Sequence, residues 1–113
     1  MTAVASEGAA LIWCPFPDED AAASVADALL AERLVACANL IPALRSLFVW
    51  NGARDEGRET GVLFKTRAAL LDTAIIRLAE LHPYAAPAVV GWRCDAAAPA
   101  TLAWLGELTA AAP

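Results

Sequence analysis

The chain reads as an α+β domain, and three features carry that reading. Apolar residues alternate with period two through long segments near 36–50 and 59–66. They recur at three- and four-residue spacing through segments near 18–34, 70–81 and 99–108. Between the two long strand-like segments stands Asn51-Gly52, a pair that tolerates the positive φ of a tight hairpin. With 113 residues the chain fits one domain, residues 1–113, large enough to bury a core without staples.

Residues 9–14 form a continuous apolar run containing Ile12 and Trp13, which suits a central strand covered on both faces. Pro15 and Pro17 are expected to stop it. Asp18 is a candidate N-cap, and Glu19 and Asp20 complement the dipole of a helix that should run to about residue 34, with Ala22, Val25, Ala26, Leu29, Leu30 and Leu34 on its apolar side. From residue 36 Cys37, Asn39 and Ile41 share one strand face. Pro42 lacks an amide donor, so that strand must bend, bulge or lie at an edge. A polar connector is expected from Asn51 through Arg58, followed by a return strand over 59–66. Leu70, Leu71, Ala74, Ile75, Leu78 and Leu81 mark a second helix, 88–94 a fourth strand, and Pro99 suits N1 of a last helix bearing Leu102, Trp104, Leu105 and Leu108. The order βαββαβ, followed by an additional C-terminal helix, predicts the ferredoxin-like arrangement: a four-stranded antiparallel sheet with two helices on one face. Trp13, Trp92, Trp104 and Cys37 read as core and Cys94 as structural, while Cys14, at a strand end, suits either packing or ligation.

Composition points to association. The sequence is 59% hydrophobic and 19% charged, against roughly 45–50% and 25% in ordinary domains. More apolar surface is available than one copy would hide, and the uncovered sheet face is the expected outlet, while Trp50 suits either a subunit contact or packing within the subunit. A net charge of −5 opposes nucleic acid as a partner, and the scattered charges suit a solvated face. No apolar run approaches a membrane span of ~20 residues, and the N-terminus lacks a positively charged leader, so the expected location is the cytoplasm. Three separated cysteines fit neither a disulfide framework nor a CxxC clip.

His82 is the only histidine, and Pro83 fixes it with Tyr84 on a stiff connector between helix and strand. It serves there either as proton carrier or metal ligand, or as a cap on free helix carbonyls. Lys65, the only lysine, either pairs with a carboxylate such as Glu59 across a subunit boundary or reaches solvent.

The series Cys37, Asn39, Pro42, then Ser46, Trp50, Gly52, then Glu59, Lys65, Thr66, then His82, Pro83, Tyr84, Pro87, and finally Leu102, Trp104, Leu105 resembles the CutA divalent cation tolerance proteins. The resemblance spans residues 9–108. It implies a ferredoxin-like, PII-like homotrimer without catalytic activity, taking copper or another divalent cation. It further implies Cys14 and His82 as metal donors, with Ala88 where the family carries a glutamate, and an inter-subunit cleft built from Asn39, Trp50, Glu59, Lys65, Tyr84 and Trp104. A PII-like sensor of small molecules or proteins is the alternative. An acylphosphatase-type enzyme on the same topology is disfavoured by prolines in place of glycines in the first loop, and an RNA-recognition domain by the acidity.

Overall fold

The computed structural model describes residues 7–111. Strands β1 (Ala9–Phe16), β2 (Cys37–Trp50), β3 (Ala53–Arg67) and β4 (Val90–Arg93) form one antiparallel sheet in the spatial order β2-β3-β1-β4. Helices α1 (Glu19–Ala31) and α2 (Leu71–Leu81) cover one face, and α3 (Pro99–Leu108) touches the other. This is the expected α+β architecture, with β1 in the sheet interior. Among the described residues no helix is long and apolar enough to cross a membrane.

The core follows from strand alternation meeting two helical stripes. Ile12, Cys14 and Phe16 of β1 and Val62 and Phe64 of β3 pack under Val25 and Leu29 of α1 and Leu71, Ala74 and Leu78 of α2. Gly91 lets α2 approach closely, since a Cβ there would lie 2.8 Å from Leu71 Cδ1 and 2.9 Å from Ile75 Cδ1. The opposite face carries Cys37, Lys65, Leu11 and Trp92 in one cross-strand row. Among the described residues only α3 lies over part of it. Trp92 and Trp104, expected in the core, are therefore 46% and 36% exposed in the chain, and Cys37 is half-buried.

Several boundaries depart from expectation. Strand β1 continues through Pro15, because β4 pairs only as far as Trp13 and one side of the strand needs no donor beyond it. Helix α1 closes at Ala31 instead of 34, in a Schellman turn: Leu34 N–H reaches Leu29 O (3.0 Å), Arg33 N–H reaches Leu30 O (3.0 Å), and Arg33 takes φ 60°. The polar stretch 54–58 is not a connector but strand, since the hairpin turns on two residues, Asn51 (φ 51°) and Gly52 (φ 77°). Both strands then run out as an exposed arm, where Arg45 Nε meets Glu56 Oε2 at 3.0 Å. Pro42 produces both a bulge, with Ala43 at φ 59°, and an edge position for β2. Strand β4 is shorter than 88–94.

Candidate functional site

A broad groove opens where the arm leaves the body. Phe48, Trp50 and Glu59 of the arm face Pro15 of β1 and the connector residues Pro83, Tyr84 and Ala88, enclosing about 760 Å³. Sequence dictates this shape locally. His82 ends α2 in an extended conformation (ψ 139°), as required before Pro83, so the chain leaves the helix across the end of β1 rather than along it.

Beneath the groove His82 is buried and stacked on Phe16, with ring centroids 4.3 Å apart. Its Nε2 lies 2.8 Å from Pro15 O, and its Nδ1 accepts the Tyr84 N–H at 3.1 Å. A carbonyl can only accept, so the neutral ring carries its proton on Nε2. Cys14 is fully buried and its thiol donates to the same Pro15 carbonyl at 3.6 Å. Burial, reinforced by the charge of Glu59, pushes that thiol up to about 12. Tyr84 donates its hydroxyl to Glu59 Oε2 at 3.0 Å, latching the connector to β3. Burial first, then this hydrogen bond, lifts the phenol to about 12 as well.

The structure brings Trp50, Glu59 and Tyr84 together with His82 and Cys14 behind them. It separates the remaining three. Asn39 sits on β2 away from the arm, its Oδ1 accepting from Cys37 Sγ at 3.6 Å. Lys65 and Trp104 line a second, smaller cleft of about 350 Å³ beside α3. Lys65 and Glu59 therefore serve different concavities and make no pair within the chain. Sequence reasoning missed Pro15, Phe48 and Ala86 as lining; the unbroken apolar run 47–50 at the tip of a hairpin was the available signal.

As a resident metal site the arrangement is incomplete. Metal binding needs a thiolate and a free imidazole lone pair, whereas Cys14 is held as a thiol and both His82 nitrogens have protein partners. Among the described residues no group of three or more His, Cys, Asp or Glu gathers around one point. While these hydrogen bonds hold, Cys14 and His82 of a single chain do not fit a bound metal.

Comparison with known proteins matches this architecture closely. Residues 10–108 match the family model of the CutA1 divalent ion tolerance protein. The divalent-cation tolerance protein CutA of Pyrococcus horikoshii is 39% identical over 99 residues, covering 88% of this chain and 96% of that protein. Mouse protein CutA is 32% identical over 104 residues, 92% of this chain but 58% of that longer protein. The crystal structure of CutA1 from Ehrlichia chaffeensis superposes with a TM-score of 0.87 at 26% identity, over 93% of this chain and 98% of that one. The chain thus belongs to the CutA1 divalent ion tolerance family.

Proposed function

We propose that this protein supports divalent-cation tolerance as a trimeric, metal-responsive scaffold of the cytoplasm, without catalysis, and that the groove at the root of the arm is its working surface. The observation that carries the reading is the arm itself. Leu47, Phe48, Val49 and Trp50 stand exposed beside the groove, an apolar tip that one copy leaves wet and that neighbouring copies would bury. Neither nucleic acid nor membrane is a partner in this reading. A PII-like architecture follows if the arms of three copies interlock. Light scattering should then give three times the 11.8 kDa chain mass at micromolar concentration, and a single-chain mass overturns the proposal.

A second reading assigns copper or another divalent cation to Cys14 and His82. It is favoured by the convergence of thiol and imidazole on one carbonyl oxygen, and by the affinity of soft and imidazole ligands for copper. The cation would have to displace both hydrogen bonds and deprotonate Cys14. Equilibrium dialysis with Cu(II) decides it: binding lost in His82→Ala supports the assignment, and equal binding by wild type and variant removes His82 from any site.

A further inference from the structure

The arm that walls the groove has two faces of opposite character. Residues paired directly across a hairpin project to the same side, and successive residues alternate. The register Leu44↔Glu59, Ser46↔Gly57, Phe48↔Asp55 therefore puts Ser46, Phe48 and Trp50 on one face with Asp55 and Glu59. The register Arg45↔Arg58, Leu47↔Glu56, Val49↔Arg54 puts Arg45, Arg54, Glu56 and Arg58 on the other. Ion pairing stays on that second face, where Glu56 meets Arg45 at 3.0 Å and Arg54 at 3.3 Å. On the first face both charges are negative, and among the described residues neither carboxylate has a cation partner.

That first face is the one that lines the groove, through Ser46, Phe48, Trp50 and Glu59. Tyr84 closes it from the connector, and no lysine, arginine or histidine is among the lining residues. Glu59 thus sets a negative charge among the rings of Phe48, Trp50 and Tyr84. The Tyr84 hydroxyl donates to its Oε2 at 3.0 Å, which fixes the carboxylate in place but brings no positive charge. A cation is the complement of such a surface, and the lining selects its kind. Hard divalent ions take about six to eight oxygens, whereas the side-chain oxygens here belong only to Ser46, Glu59 and Tyr84. A primary ammonium brings N–H donors that each need an acceptor. A quaternary ammonium brings none, and it takes aromatic faces as readily as a carboxylate. The volume, about 760 Å³, lies within the range of small-molecule pockets.

We propose that the groove at the root of the arm binds a quaternary ammonium compound, its charged head beside Glu59 and against the rings of Phe48, Trp50 and Tyr84. The assignment rests on the reading of this groove as the working surface, and it names the class of ligand. A neighbouring copy that covers the arm would roof the site and exclude water, strengthening the attraction to Glu59 and to the rings.

The test titrates choline, and the neutral dimethylbutanol in which carbon replaces its nitrogen, into the full-length protein. The ¹⁵N shifts of the Trp50 indole and the Tyr84 amide report binding, and light scattering on the same samples reports mass. Choline should bind saturably in the millimolar range, and the alcohol at least about fivefold more weakly. Glu59→Gln keeps an acceptor for Tyr84 but removes the charge, so choline should weaken by a similar factor while the alcohol is unaffected. Glu56→Gln removes the same charge from the other face of the arm and should leave both probes within about twofold of wild type, as exposed charges contribute little. Phe48→Leu keeps Glu59 and should weaken choline more than the alcohol. Absence of saturable shifts at millimolar choline, equal affinity for the two probes, or equal effects of Glu59→Gln and Glu56→Gln overturns the proposal. Should Glu59→Gln fail to fold, Phe48→Leu decides in its place, and equal losses of both probes then sink the assignment. The mass speaks only to assembly: a single-chain species that binds choline removes the trimer and keeps the ligand, and a trimer indifferent to choline does the reverse.

Discussion

At the scale of single residues, close approach and burial set the sharpest expectations. Gly61 of β3 lies under the Trp13 indole, and a Cβ built there would stand 2.3 Å from Trp13 Cη2 and 2.6 Å from Leu44 Cδ1. An indole wedged against a strand cannot swing aside as a flexible tip would. Gly61→Ala should cost about 1–3 kcal/mol of stability by overpacking, read from the urea midpoint; an unchanged midpoint would show that the Trp13 contact is soft. Cys14 and Tyr84 supply a pH signature. Both are acids raised to about 12 in the fold, from ordinary values of 9.0 and 10.0. The unfolded chain therefore releases these protons first, so their contribution is fully present below about pH 9 and is lost as pH rises through about 12. Stability should fall across that alkaline window, and Cys14→Ala with Tyr84→Phe should flatten the fall. A parallel slope in the double variant would assign the alkaline loss to other groups.

Elements are held in register by contacts that lie far apart in sequence. Helix α3 has no side-chain N-cap, and its attachment rests on its last turn. Arg33, at the Schellman turn of α1, donates to Glu107 O (3.2 Å), Thr109 O (3.3 Å) and Leu108 O (3.4 Å), placing a cation on the negative end of the helix. Arg67, at the end of β3, donates to Thr109 Oγ1 at 3.0 Å and to Ala110 O, and pairs with Glu7 Oε2 at 3.2 Å with both side chains only 15% exposed. Arg67→Ala strands that carboxylate and frees the helix end. The expected loss is about 2 kcal/mol, with faster amide exchange confined to 99–110 while β1 and β3 keep their protection. Uniform loss of protection would mean that α3 is integral to the sheet rather than docked on it. None of this was visible beforehand, because a guanidinium chooses among carbonyls 43 to 76 residues away only once the chain is folded. What could be read were the punctuators: Asn51-Gly52, Pro42 and Pro99 each act through local φ or a missing donor, and each marks a turn, bulge or helix start in the structure. The arm strand 53–58 escaped because its residues are exposed on both faces and carry no alternation to detect. The same limit hid the site. Pro83 told how His82 would be held, but the Pro15 carbonyl it binds is 67 residues distant and the Tyr84–Glu59 latch spans 25.

For the whole molecule, the arm decides between one copy and several. The chain extends 52 Å along an axis only 26 × 23 Å across, because β2 and β3 continue beyond the ends of β1 and β4. A two-stranded ribbon is marginal in water without a third layer, and this one ends in Val49 at 72% and Trp50 at 58% exposure. Trp50 buries little within its own chain, so replacing it should leave the folded subunit intact while removing an anchor. Interface tryptophans dominate binding energy, and truncating one costs about 2 kcal/mol or more per contact. In a closed three-fold assembly that loss repeats at every interface. Trp50→Asp should thus shift the micromolar species from trimer to monomer with an unchanged far-ultraviolet spectrum. Ile76 of α2 provides the control, being 62% exposed on a helix remote from the arm. Ile76→Asp is expected to keep the wild-type mass. If Trp50→Asp keeps it too, the arm is solvent-facing in the assembly and the apolar excess of the composition must be covered through the outer sheet face, where Trp92 stands open.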